Sequence, residues 1–450
     1  GDWPMASSYY QQASRLDEAL ALPHFGLAQM NLRNEEYKNA ISELESVLQA
    51  APSSFDALKV LGHLYRHQPQ RVEKAIGGFF DKFDKSLYDT LTDLETWEMF
   101  GELQAVRNPH EALKAYSKGR YLCKETNDDK ERTAKVVNNM AVIHFRLGDV
   151  QAAKKAMTEA IAMGGESDPG AVHLVTMQFN MGRMHEASAD FKAARKLYNE
   201  IVDKRPSYTA CYLRLAVMAK AEGKRQVAQD WLQKAIDEDP RELNALAMMA
   251  NLHMERRSWN DVNQCVIEML KLEKADPCAM LIKGNLALNS LPPKAKAKKG
   301  VDHDLVKKNH LSKALECYKI ALSKEPSNAY AANGVGVVLA EEGSMSTAKE
   351  IFSKVQEAVA SNPAWQISLP DAHLNLANVY LASKEYVSAI KLYQKVLTKN
   401  RSNKDAGVLL YLARAYYDSE NLLEAKRTLL RAIHVAPTDP RLRFNLALVM

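Results

Sequence analysis

The chain has 450 residues, 46% of them hydrophobic and 8% aromatic, enough for a sizeable buried core. Its net charge of +5, from 60 Lys and Arg against 55 Asp and Glu, is too small to mark a general nucleic-acid surface. No run of 18 apolar residues occurs, which argues against a membrane-spanning helix, and no charged-then-apolar leader opens the chain. The five cysteines (Cys123, Cys211, Cys265, Cys278 and Cys317) show no CxxC spacing and read as reduced thiols of the cytosol or nucleus.

Small and apolar residues recur with a helical period in paired blocks. Residues 1–20 read as a lone second helix, with Ala6, Tyr10 and Ala13 on one face. A first pair follows at 21–54 (Leu27, Ala28, Ala40, Leu44, Pro52) and a second from 55 (Leu58, Leu61, Gly62, Tyr65, then Ala75 and Phe79), with 81–93 as a longer connection. The third pair holds Trp97, Phe100, Gly101, Ala112 and Tyr116. The fourth, 134–167, holds Met140, Ala141, Ala153, Met157 and Ala160, and the fifth, 175–208, holds Met181, Gly182, Ala194, Tyr198 and Pro206.

The sixth pair, Thr209 to Pro240, is the clearest. With Thr209 as position 1, Tyr212, Leu215, Ala216 and Ala219 fall at 4, 7, 8 and 11, and Ala228, Leu232, Ala235 and Pro240 at 20, 24, 27 and 32. The alanines let two helices approach closely, Gly223 can take the left-handed conformation that ends the first helix, and Pro240 stops the second. The seventh pair (Met249, Ala250, His253, Val266) is looser. The eighth starts at Gly284 and resumes at Ala314, Tyr318, Ala321 and Pro326, so about 18 residues are inserted between its helices. The ninth has Gly336, Leu339, Ala348 and Phe352; the tenth Leu376, Ala377, Tyr380, Ala389 and Tyr393; the eleventh Leu412, Ala413, Tyr416, Ala425, Leu429, Ala432 and Pro437.

This spacing is the helix–turn–helix signature of the tetratricopeptide repeat, a unit of about 34 residues. It predicts an all-α, right-handed superhelical solenoid of about eleven full repeats with partial repeats at both ends. The expected organisation is the second helix of a truncated repeat at 1–20, a first part of the array at 21–290, a lysine-rich insertion at 291–309, a second part at 310–437 and the start of a truncated repeat at 438–450. Ends that cut through a repeat imply a longer protein.

Motifs for chemistry are missing from the sequence. There is no P-loop, HExxH, GxSxG or zinc-type Cys/His spacing. Gly334 and Gly336 are the small residues of a helical repeat and do not follow a strand. His144, His185 and His253 occupy position 11, where a packing role outweighs a catalytic one. No enzyme activity, cofactor or metal is therefore expected.

The expected site is the concave groove lined by the first helix of each repeat. Its basic members are Arg33, Lys59, Arg66, Arg146 and Arg183, with His63 and Lys135 beside them, and Glu95, Glu98 and Glu102 form an acidic stripe among them. Asn251, Asn285, Asn333 and Asn378 can each offer one acceptor and two donors to an extended peptide backbone. Phe25 and Phe179 are the expected apolar anchors, and the cations are expected to meet acidic partner segments. A carboxylate clamp needs Lys at position 5 and Asn at 9, and is excluded because His63 follows Lys59. The insertion carries Lys294, Lys296, Lys298 and Lys299 without aromatic residues, and reads as a solvated loop with a possible contact to phosphate or an acidic tail.

Several segments, among them NAYAANGVGVVLA (328–340), HFRLGD (144–149) and HVAPTDPRLRFNLALV (434–449), go beyond the repeat consensus. They resemble the tetratricopeptide-repeat scaffold subunit of the RNA polymerase II-associated factor (PAF) complex. That resemblance implies a nuclear, non-enzymatic scaffold of transcription elongation. It further implies contacts to the complex's namesake subunit, parafibromin, the WD-repeat subunit and the polymerase, and support of histone modification by other enzymes. Membrane contact and direct nucleic-acid binding are not expected. The alternative, open on the residues alone, is the substrate-selecting array of a larger enzyme such as a glycosyltransferase.

Overall fold

The structure, a computed structural model, describes residues 3–17, 19–51, 54–66, 94–125, 130–167, 172–291, 302–361, 371–400 and 404–450. Among them are twenty-three helices and no strand. They fall into two compact units, residues 1–211 and 212–450.

The first unit contains α1 (Trp3–Leu16), α2 (Ala21–Arg33), α3 (Tyr37–Ala50), α4 (Phe55–Arg66), α5 (Leu94–Arg107), α6 (Pro109–Glu125), α7 (Lys130–Arg146), α8 (Val150–Ser167), α9 (Val172–Ala187) and α10 (Phe191–Lys204). Helix α11 (Thr209–Ala221) runs across the boundary. The second unit continues with α12 (Arg225–Glu238), α13 (Leu243–Glu255), α14 (Trp259–Leu272), α15 (Pro277–Asn289), α16 (His303–Lys324), α17 (Ala329–Glu341) and α18 (Met345–Ser361). It ends with α19 (Asp371–Ala382), α20 (Tyr386–Asn400), α21 (Ala406–Asp418), α22 (Leu422–Val435) and α23 (Pro440–Val449).

One packing rule recurs in both units. The small residue at position 20 is fully buried in repeat after repeat, as at Ala40, Ala112, Ala153, Ala194, Ala314, Ala348, Ala389 and Ala425. In some repeats a large ring at position 24 fills the space between paired helices, and glycine at position 8 lets it in. A Cβ at Gly182 would stand 2.5 Å from the Tyr198 ring, and one at Gly336 2.7 Å from Phe352. Carbon atoms normally approach only to about 3.5–4.0 Å, so these positions exclude a side chain unless the ring moves. Tyr10 of α1 meets Gly26, at position 6 of the next repeat, in the same way that Tyr318 meets Gly334.

The turn between paired helices is equally regular. Gly148, Gly223 and Gly343, all at position 15, have φ of +85°, +75° and +90°. In five other repeats the same left-handed position is held by Glu35, Ala189, Arg257, Lys384 and Glu420, with φ between 58° and 63°. The backbone geometry of the turn thus outweighs the side-chain preference that usually selects glycine there.

The insertion differs from the expected span. Residues 303–309 are not loop: His303–Lys324 is one helix of 22 residues, and the Asp302 side chain caps it by accepting from the N–H groups of Asp304 and Leu305. Lys307 ties the extension to α17 through a 2.7 Å bond to Glu341. Apolar periodicity could not reveal this turn, because Leu305 on it is exposed. The four lysines Lys294, Lys296, Lys298 and Lys299 lie outside the described residues.

Candidate functional site: a polar groove on the first helices

In the first unit, α5, α7 and α9 bring together a cavity of about 690 Å³. Glu98 and Glu102 line it from α5, Arg132, Lys135, Asn138 and Asn139 from α7, and His173 and Thr176 from α9. Charges of both signs are paired inside it. Arg132 approaches Glu98 at 3.4 Å, Lys135 meets Glu131 at 2.6 Å, and His173 faces Glu131 at 3.4 Å. Such a lining sets three carboxylates against two cations and a histidine and is rich in hydrogen-bonding groups, which suits a polar backbone better than a segment of one charge sign.

The predicted cations are largely occupied. Lys59 forms a 2.7 Å ion pair with Glu95, and His63 lies 3.4 Å from the same carboxylate. Arg33 stacks on the Trp3 ring at 4.2 Å. Arg146 donates to the Ala105 carbonyl at 3.0 Å, and Arg183 stands 3.8 Å from Glu186. Arg66 closes α4, and its side chain is outside the described part. The acidic stripe therefore neutralises Lys59, and the row of free cations expected for acidic partners is not formed there.

The predicted asparagines have two fates. Asn285 and Asn378 each accept a 2.7 Å hydrogen bond from a buried phenol, Tyr318 and Tyr393 respectively. One side-chain oxygen of each is thereby committed to the fold. Burial pushes both phenols well above the usual tyrosine value, so they stay protonated donors. Asn333 instead accepts from Asn375 of the next repeat at 3.1 Å, and Asn138 accepts from Asn180 at 3.1 Å in the first unit. These two bonds are equivalent, each joining position 5 of one repeat to position 6 of the next. Asn251 is exposed.

Sequence reasoning missed Asn180 and Asn375, which stand at position 6, outside the positions read as groove, and passed over Asn138 at position 5. The recurrence of Asn at 5 and 6 in neighbouring repeats was the available signal. The predicted anchors are also part of the fold. Phe25 packs into the core of the first repeats, and Phe179 sits between Tyr198 and Tyr208, with ring centroids 5.6 and 5.5 Å away. His185 lies 3.1 Å from Asp190 and His253 3.7 Å from Asp261, each tying a first helix to the start or first turn of the second.

Four of the five thiols, Cys123, Cys211, Cys265 and Cys317, are buried. Desolvation pushes Cys211 up to about 12 and Cys265 up to about 11, away from thiolate reactivity. Among the described residues no cluster of three or more His, Cys, Asp or Glu could hold a metal, and no helix is long and apolar enough to cross a membrane.

With this geometry the described chain is a tetratricopeptide-repeat array. Sequence profiles described as tetratricopeptide repeat match residues 25–86, 134–163, 303–363 and 380–446. The chain also resembles, over its whole length, proteins named CTR9. It is 32% identical to the CTR9 homolog of Arabidopsis thaliana and 26% identical to the RNA polymerase-associated protein CTR9 of Caenorhabditis elegans, with 100% of the chain covered in both. It is 23% identical to the RNA polymerase-associated protein CTR9 of Saccharomyces cerevisiae over 93% of the chain. The chain spans 44%, 40% and 40% of those three relatives, less than half of each. Among solved structures, the Cut9 and Hcn1 hetero-tetramer of the APC/C shares the fold, with a TM-score of 0.51 at 14% identity over 100% of this chain and 93% of that one.

Proposed function

We propose that this array is the protein-binding part of a nuclear scaffold of the PAF complex, which holds partner subunits on RNA polymerase II during elongation. The observation that carries the reading is the whole-chain similarity to proteins named CTR9, two of them named as RNA polymerase-associated. The work is binding and not catalysis. The partners are the namesake subunit, parafibromin and the WD-repeat subunit, and histone modification is supported through enzymes that the scaffold positions.

The groove supports a particular kind of ligand. Its cations are paired and its cavity mixes carboxylates, amides and a hydroxyl, so it suits an extended segment read through its backbone. This replaces the expected acidic partner as the best fit to the site. Such a segment orders on binding and needs a long contact to offset its entropy loss, which successive repeats supply. The glycosyltransferase-array alternative is less favoured. A human protein O-mannosyl-transferase, TMTC3, matches 86% of the chain, but at only 22% identity.

The test is capture of the purified namesake subunit by the chain and by two groove variants. Thr176→Arg fills the cavity of the first unit, and Asn251→Arg crowds an exposed groove position of the second. Capture by the native chain, weakened about tenfold or more by either variant, supports the reading. Failure of the native chain to capture the subunit removes the PAF assignment, whereas undiminished capture by both variants removes the groove.

A further inference from the structure

The outer faces of α20 and α22 carry a surface with no partner. The two helices show the same order of residues one repeat apart. Val387 and Leu423 come first, Lys391 and Arg427 one turn later, and Lys395 and Arg431 another turn on. Residues four apart on a helix share a face, so each helix presents an aliphatic end followed by two cations. Val387, Leu422, Leu423 and Leu430 are all exposed, Val387 and Leu423 by 68% and 60%.

Some cations on other second helices are neutralised, as Lys114 is by Glu111 at 2.6 Å and Lys349 by Glu385 at 2.7 Å. Helix α20 contains no acidic residue, and α22 contains one, Glu424, which pairs with Arg427 at 2.5 Å. Lys391, Lys395, Lys426 and Arg431 form no ion pair among the described residues. Residues 386–450 hold eleven Lys and Arg against five Asp and Glu, a net +6 that exceeds the +5 of the whole chain.

A phosphate backbone would satisfy the cations and leave the aliphatic side chains in water. A protein segment with both carboxylates and leucines satisfies both halves of the surface. We propose that the outer face of α20 and α22 docks an acidic, leucine-bearing segment of a partner protein. The carboxylates meet Lys391, Lys395, Lys426 and Arg431, and the leucines cover Val387, Leu423 and Leu430. This site is separate from the groove and does not depend on what the groove binds.

Fluorescence anisotropy with the full 450-residue chain tests it. The probe is a labelled peptide of about 16 residues, four helical turns, with leucine on one face and glutamate on the flanks. A second peptide replaces each leucine with serine, and a third probe is a DNA duplex of similar length. The native chain should bind the first peptide best. Lys391→Glu with Arg431→Glu should weaken it about tenfold or more at low salt, and Val387→Ser with Leu423→Ser should weaken it at low and high salt alike. Lys391→Gln with Arg431→Gln, a milder change for a check that folding is intact, should weaken it by a smaller factor. Lys192→Glu, on the outer face of α10, should leave binding unchanged. The proposal is overturned if the serine peptide binds as well as the leucine one, if DNA binds more tightly, or if folded variants at positions 391 and 431 bind as the native chain does.

Discussion

The Tyr318 ring gives the most direct test of how the repeats interlock. It is fully buried, and two glycines flank it: a Cβ at Gly284 would lie 2.6–3.0 Å from the ring and one at Gly334 2.6–2.8 Å. Gly284 is on α15 and Gly334 on α17, so the ring joins two repeats. Gly334→Ala forces a displacement of roughly 1 Å to regain ordinary contact distance. Overpacking of that kind costs about 1–3 kcal/mol, while alanine gains about 1 kcal/mol over glycine in a helix. The net loss should be about 0–2 kcal/mol for either glycine alone. With both replaced, the ring has no side on which to yield, and the loss should exceed the sum. Repeats couple mainly to neighbours, so the loss is best read in urea titrations together with amide exchange across α15 to α17. Tyr318→Phe is the companion variant. It removes the hydroxyl 2.7 Å from Asn285 and should cost about 1 kcal/mol without crowding. A gain in stability from Gly334→Ala, or strict additivity in the double variant, would refute the interlock.

Three further outcomes follow from local geometry. Ala189 holds φ +60° and Gly223 holds φ +75° at the same turn position, so Ala189→Gly should raise stability by up to about 1 kcal/mol and Gly223→Ala should lower it by a similar amount, as read by chemical denaturation. Asp190 caps α10. A hydrogen bond from the Ala193 N–H holds its carboxyl below the usual 3.8 against some opposing desolvation, and His185 assists. Its stabilising effect is full above 3.8 and lost as pH falls through the lowered folded-state value, so the melting temperatures of Asp190→Ala and the native chain should differ at neutral pH and converge in acid. The last of the three concerns thiols. Iodoacetamide should label exposed Cys278 and leave Cys123, Cys211, Cys265 and Cys317 until the chain is denatured. Desolvation of the sulfur, with Asp276 and Glu325 nearby, holds the Cys278 thiol above its usual value, so that labelling should be slow at neutral pH and faster in alkali. Mass spectrometry of the native chain locates the label.

The repeat pattern was legible because it is local. Alanine or glycine at positions 8 and 20 and a bulky residue at 24 are separations along one chain, and burial of Ala216, Ala228 and Leu232 follows from them. Helix pairing, the left-handed turn at Gly223 and the resemblance to a PAF scaffold could all be read this way. Side-chain partners could not. Whether Lys59 is a free cation depends on Glu95, a residue of the next repeat, and whether Asn378 can reach a ligand depends on the Tyr393 phenol. The helical start at His303 rests on an Asp302 cap and a Lys307 contact to α17 that leave no apolar period. The cavity among α5, α7 and α9, and the unneutralised cations of α20 and α22, are likewise products of packing. Apolar spacing along the chain dictates which helices form and which faces they bury, but charges and amides on the remaining faces take their roles from whichever neighbour the superposed repeats bring within hydrogen-bond distance.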